Sequence, residues 1–122
     1  MPVHELSIAI GIIDAACEEV ARRDGPQVAA VHLRLGPLSG VDRDALLFSY
    51  DLACADTPLA GSQLVIVDVP IAIYCESCHA ERAPVSIQLM TCADCGTPAA
   101  RIIRGDELEL AALELCETEV PG

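Results

Sequence analysis

CESCHAERAPVSIQLMTCADC, residues 75–95, is the stretch on which the reading of this chain turns. Cys75 and Cys78 are separated by two residues, as are Cys92 and Cys95, and thirteen residues lie between the pairs. Two intervening residues let one turn aim both sulfurs at the same ion, and two such turns complete a tetrahedron around zinc. The segment 85–90 is expected to form a hairpin arm that brings the pairs together. Gly96 follows the second pair, where the turn calls for positive φ. Cys75, Cys78, Cys92 and Cys95 are thus expected to hold a structural zinc ion in a ribbon module. Four thiolates close the coordination sphere and leave no position for water or substrate, which argues against a zinc hydrolase.

The same residues admit other readings. Two local disulfides suit an oxidising compartment. Cys75-Glu-Ser-Cys-His79 matches the c-type haem attachment pattern, which leaves the second pair without a task. His79 stands where the second pair has its glycine, either as an exposed turn residue or as a reserve ligand, since zinc accepts imidazole as well as thiolate. Cys17 and Cys54 read as small core residues on the apolar sides of two helices, and Cys116 ends the last strand.

Outward from the module, residues 5–23 show a helical repeat in Leu6, Ile10, Ile13, Cys17 and Val20, stopped by Asp24-Gly25-Pro26. Val31, Leu33 and Leu35 alternate with His32 and Arg34, the pattern of a half-buried strand ending at Gly36-Pro37. Asp42 is placed to cap a second helix with Leu46, Leu47, Tyr50 and Cys54 on one side. Residues 62–69 are rich in β-branched side chains and read as a strand. Leu108 and Leu110 alternate with Glu107 and Glu109, and the phase slips at Ala111-Ala112 before Leu113 and Leu115. A bulged strand over 105–115 is expected, with a short helix as the alternative. The tail 117–122 is expected to fray. The sum is an α+β fold: a small mixed sheet of about three strands with two helices, plus an inserted zinc-ribbon module. The expected division is residues 1–70 with 105–122 as one discontinuous domain and 71–104 as the ribbon.

Composition narrows the function. Nineteen acids face seven bases, all arginine, for a formal charge of −12. Nucleic acids and anionic membranes are poor partners for such a chain, because both are bound largely through Lys and Arg. Metal cations and basic protein surfaces are better electrostatic matches. The apolar run Ile8–Ile13 is far shorter than the roughly 20 residues a bilayer span needs, and no basic leader precedes it. A cytoplasmic setting is expected, where thiols stay reduced or bind metal. Paired catalytic carboxylates and a nucleophile elbow are absent from the sequence. Gly36-Pro37-Leu38-Ser39-Gly40 lacks the lysine and spacing of a phosphate loop. An enzyme is therefore not expected.

His4-Glu5 at the amino end completes the pattern. A free amine, deprotonated amides and an imidazole make a planar nitrogen set favoured by nickel(II) and copper(II). The plainer account is a histidine at the start of a helix, with Glu5 favoured by the helix dipole. Together, His4-Glu5-Leu6-Ser7, Leu35-Gly36-Pro37-Leu38-Ser39-Gly40-Val41, the paired cysteines and Gly105-Asp106-Glu107-Leu108 resemble the HypA/HybF family over essentially the whole chain. The resemblance implies a nickel metallochaperone for maturation of nickel-iron hydrogenase and, in some organisms, urease. It implies His4 as the nickel ligand, Glu5 as its neighbour in the motif, and Cys75, Cys78, Cys92 and Cys95 as zinc ligands. Ni(II) is then transferred cargo and zinc structural. The implied partners are a nickel-handling maturation GTPase and the hydrogenase large-subunit precursor, with the chain a monomer or homodimer. A zinc-ribbon module binding protein or nucleic acid is the alternative.

The start departs from the family's Met-His-Glu, because Pro2 and Val3 are interposed. With Met1 present, Pro2 has no N–H to deprotonate and the series of fused chelate rings is broken. With Met1 removed, the Pro2 amine, the amides of Val3 and His4 and the imidazole form a four-nitrogen square. Tight nickel binding is therefore expected only in protein that begins at Pro2. Native mass spectrometry on the two amino-terminal forms checks this; full planar-site absorbance on the Met1 form refutes it.

Overall fold

The computed structural model describes residues 3–25 and 27–116, apart from the side chain of Val3. The expectations for Met1 excision, for Pro26 in the helix stop and for a frayed tail at 117–122 lie outside the described residues. The elements run α1 (Val3–Arg22), β1 (Val28–Leu35), α2 (Arg43–Cys54), β2 (Gln63–Asp68), β3 (Ala72–Cys75), β4 (Ala80–Arg82), β5 (Arg101–Arg104) and β6 (Leu108–Leu115). The strands make two three-stranded sheets, ordered β2-β1-β6 and β4-β3-β5. This is the expected α+β class, with a cysteine module inserted before the last strand. Two compact units emerge: Met1–Leu33, Asp42–Ile66 and Leu110–Gly122 in one, Arg34–Val41 and Val67–Glu109 in the other.

In the first unit α1 packs against α2. The buried face of α1 is rotated from the expected one. Ala9 and Ala16 are fully buried, with Ile13 and Val20 beside them, while Leu6 and Ile10 are 37% and 47% exposed. Small residues at the contact admit a neighbouring helix closely, which apolar spacing alone does not reveal. On α2 the buried residues are Leu46, Ser49, Tyr50 and Cys54; Leu47 is only half-buried. Asp42 caps α2 as expected, its side chain accepting from the Ala45 N–H at 3.1 Å. The buried Tyr50 hydroxyl meets Ser62 Oγ at 2.7 Å, and Ser62 donates to the Leu59 carbonyl at 2.6 Å. Burial leads in raising the Tyr50 phenol above its ordinary range.

The sequence underestimates β1, which starts at Val28 because Ala29 and Ala30 carry little strand signal. The segment after Gly105 is a strand and not the alternative helix. Leu110 and Leu113 are its half-buried residues, an odd separation that matches the phase slip at Ala111-Ala112.

The second unit holds the antiparallel sheet β4-β3-β5, in which Ile73 faces Arg82 on one side and Ile102 on the other. Its buried centre is Ile73, Cys75 and Cys92, with Ile71, Cys78, Met90 and Ala99 packed around them. In the segment 85–90, Ser86 and Leu89 exchange backbone hydrogen bonds of 3.3 and 3.2 Å across Ile87-Gln88, a short arm with no regular strand. The same unit joins the two glycine-bearing motifs. Gly36 N–H donates to the Glu107 carbonyl at 2.9 Å, and Leu38 N–H to the Gly105 carbonyl at 2.7 Å. A Cβ on Gly36 would stand 2.1 Å from the Gly105 oxygen. Only backbone fits there. Gly36→Ala is therefore expected to cost about 3 kcal/mol of stability, read as a lowered thermal midpoint, whereas Gly40→Ala, with open space around it, is expected to cost less.

Candidate metal centre

Each cysteine of the cluster is placed by a turn. Cys75 closes β3, and the turn that follows returns the chain so that Ala80 pairs with Cys75. Inside it the Cys78 N–H points at Cys75 Sγ, 3.4 Å away. The second turn is held by Gly96 N–H donating to the Cys92 carbonyl and by Cys92 N–H donating to the Thr97 carbonyl, both 2.8 Å. Gly96 has φ 79°, as the sequence required, and His79 adopts φ 52° at the equivalent place.

The turns bring all four sulfurs within 4.8 Å of one another. Cys75 and Cys95 are 3.5 Å apart, Cys78 and Cys95 3.7 Å, and Cys78 and Cys92 4.0 Å. A tetrahedron with metal–sulfur bonds of about 2.3 Å has edges of about 3.8 Å. The spacing fits an ion and is too long for bonded sulfur, which lies at about 2.05 Å. All seven cysteines are free thiols. His79 is exposed and is not part of the group.

Polar neighbours adjust the thiols. Hydrogen bonds with Thr97, first its hydroxyl and then its backbone, hold Cys95 down to about 6. That hydroxyl lies 3.2 Å from Cys95 Sγ and 2.9 Å from Ser77 Oγ. Cys78 is pushed up to about 12, foremost by its hydrogen bond with Cys75. The Arg82 guanidinium is held charged above its ordinary value, chiefly by a hydrogen bond with Cys78. Its Nε also lies 2.9 Å from Asp94 Oδ2, a charge contact in which the N–H is not aimed at the oxygen. An arginine beside four thiolates offsets the net negative charge that a divalent ion leaves.

His4 is exposed on the first turn of α1. Glu5, one residue on, is only 6% exposed and accepts from the Asp42 N–H at 3.3 Å. A capping box normally takes that acceptor from the third residue of the same helix. In α2 that residue is Ala45, so α1 provides the missing half. Nothing in the spacing of positions 5 and 42 signals this contact. Cys17 is half-buried, and its thiol is pushed up by burial, then by Asp14 and Cys54, away from a reactive thiolate. Cys54 is buried, and Cys116 is half-buried at the end of β6.

A small α+β chain with a four-cysteine cluster of this geometry is a metal-binding protein of the ribbon-bearing kind. A family model described as "Hydrogenase/urease nickel incorporation, metallochaperone, hypA" matches residues 3–115. The hydrogenase maturation factor HypA of Roseiflexus sp. (strain RS-1) is 48% identical over 112 residues, 92% of this chain and 91% of its own. That of Chloroflexus aurantiacus is 45% identical over 92% of this chain and 98% of its own. This chain belongs to the HypA family of nickel metallochaperones. The solution structure of the Ni metallochaperone HypA from Helicobacter pylori has the same fold, with TM-score 0.60 and 23% identity over 91% of this chain and 96% of that one. A second solution structure of a HypA protein gives TM-score 0.70 and 21% identity, over 93% and 96%.

Metal binding requires thiolates, so protons compete with the ion. Cys95 lies below the ordinary thiol value, so the fold favours its thiolate; that contribution is full above the ordinary value of 9.0, partial in neutral solution, and lost as pH falls through about 6. The cluster is expected to keep its ion at pH 7 and to release it on further acidification, measured by a chromogenic chelator across a pH series.

Proposed function

We propose that this protein carries Ni(II) on its amino-terminal segment, with His4 as the nickel-binding imidazole, and delivers it during maturation of nickel-iron hydrogenase. Cys75, Cys78, Cys92 and Cys95 hold zinc. When bound, zinc cross-links the two cysteine turns and so stabilises a unit with few buried residues of its own. A tetrahedral four-sulfur shell suits zinc, and planar nitrogen suits nickel. The role is transfer and not catalysis: among the described residues, neither place presents a substrate pocket with positioned acid and base. We assign residues 1–70 with 105–122 to the nickel-carrying part and 71–104 to the zinc ribbon, a functional division whose borders differ from the compact units at 34–41, 67–70 and 105–109. The partners are a nickel-handling GTPase and the precursor of the hydrogenase large subunit, all in the cytoplasm.

The observation that carries this reading is the contrast between His4 and Glu5. Glu5 is buried and bonded to the start of α2, while the adjacent His4 is left exposed. An anchored first turn presents an accessible imidazole at a defined place, and exposed ligands can be displaced one at a time by a receiver. Across the ribbon-bearing unit, Arg34 contacts Glu109, Arg82 contacts Asp94, Arg104 contacts Glu81, and Arg101 stacks on Tyr74 at 4.5 Å. Arginines engaged in this way favour metal transfer over phosphate binding.

Metal analysis of wild type, His4→Ala and Cys92→Ser tests the division. His4→Ala is expected to keep one zinc and to lose nickel uptake. Cys92→Ser is expected to lose zinc. Equal nickel uptake by wild type and His4→Ala rejects His4 as the ligand.

A further inference from the structure

Strand register decides which charged side chain of β4 stands beside the sulfurs. In the pairing of β3 with β4, Cys75 lies opposite Ala80, Tyr74 opposite Glu81 and Ile73 opposite Arg82. Side chains alternate between the faces of a sheet, and directly paired residues share a face. Arg82 therefore lies on the face of Cys75 and Ile73, both fully buried. Glu81 and Tyr74 take the other face, where Arg104 contacts Glu81 and Arg101 covers the Tyr74 ring.

A half-buried arginine on such a face is costly unless its charge is answered. Arg82 finds its partners in both cysteine turns. The guanidinium hydrogen-bonds to Cys78 of the first turn. Its Nε, out of contact with solvent, lies 2.9 Å from Oδ2 of Asp94, which stands between the two cysteines of the second. The main chain is closed along the same line. Ala93 N–H donates to the Ala83 carbonyl at 3.0 Å, and Pro84 forms a β-bridge with Cys92. A second link joins the turns through neutral groups. The Thr97 hydroxyl donates to Ser77 Oγ at 2.9 Å and lies 3.2 Å from Cys95 Sγ. Of the two links only that of Arg82 carries charge.

We propose that Arg82 is the positioning residue of the zinc centre: by joining Cys78 to Asp94 it holds the two cysteine turns together and sets how slowly zinc leaves. The inference rests on the assignment of zinc to the four cysteines. Four thiolates around a divalent ion leave a charge of about −2, so a cation fixed against them favours the loaded state. The link between turns acts in the same direction. A chelator removes zinc one thiolate at a time, and a turn tethered elsewhere returns its sulfur before the next is lost.

Zinc transfer from the full, zinc-loaded chain to an excess of a chromogenic chelator tests it, with Arg104→Gln as the control. Arg82→Gln and Arg104→Gln each remove one positive charge, but Arg104 contacts Glu81 on the face away from the sulfurs. Arg82→Gln is expected to bind one zinc and to release it at least about tenfold faster than wild type. Arg104→Gln is expected to release it at the wild-type rate. Asp94→Asn leaves Arg82 on Cys78 but weakens its hold on the second turn, and its rate is expected to fall between the two.

Cobalt(II) in place of zinc supplies a readout that packing alone does not move. A cation beside Cys78 lowers the energy of its sulfur electrons. In Arg82→Gln the sulfur-to-cobalt charge-transfer band is therefore expected at longer wavelength, with the tetrahedral ligand-field bands in place. Arg82→Lys is expected to restore that band and to recover only part of the zinc retention, because an ammonium lacks the guanidinium fork. Zinc release by Arg82→Gln at the Arg104→Gln rate overturns the proposal. So does faster release with an unmoved charge-transfer band or with no recovery in Arg82→Lys, since the effect is then one of packing. If Arg82→Gln does not fold, Asp94→Asn decides: release at the wild-type rate overturns the proposal, and faster release supports it. A wild-type chain that takes up no zinc refutes the four-cysteine reading itself, and the proposal with it.

Discussion

The convergence of four sulfurs is the constraint on which the ribbon-bearing unit depends. Its buried centre is Ile73, Cys75 and Cys92, and two of those three are members of the cluster. Core packing and metal ligation thus fall on the same side chains. A unit with so little apolar interior gains its order chiefly from cross-links, and an ion joining two turns is such a link. Hydrogen bonds donated by the N–H groups of Cys78, Cys92 and Gly96 shape the two turns that aim the sulfurs at one point. Thr97, Ser77 and Arg82 then distribute protons and charge around the sulfurs.

The helical unit rests on a different device. α2 starts at a cap that is completed from another element: Asp42 serves Ala45, and Glu5 of α1 serves Asp42. A carboxylate only 6% exposed can be kept there because it accepts a backbone hydrogen bond. The same bond sets the first turn of α1, which carries His4, against the start of α2. Glu5 is thereby given an architectural task that membership of the His-Glu motif does not by itself convey.

Acidity and apolarity are both distributed with purpose. The arginines of the ribbon-bearing unit are engaged with carboxylates or an aromatic ring, which neutralises locally without creating a basic face. On β6 the glutamates lean on His32 and Arg34 while Leu110, Leu113 and Leu115 line a groove beside α1.

Much of the site could be read from the chain alone. Two C-x-x-C turns thirteen residues apart specify a tetrahedral sulfur site because a turn of that size leaves few places for its thiols to point. The Asp42 cap, the two helices and the strand character of 108–115 were equally legible, since local periodicity and hydrogen-bonding preference produce them. Tertiary structure alone decided which face of α1 is buried, because close packing at Ala9 and Ala16 outweighs the attraction of Leu6 and Ile10 for the interior. It also decided that Glu5 caps a helix thirty-seven residues away, and that Gly36 must be glycine because the Gly105 carbonyl lies where a side chain would be. Local rules act over a few residues; contacts between distant segments are chosen by the packing of the whole chain, and no short window of sequence contains them.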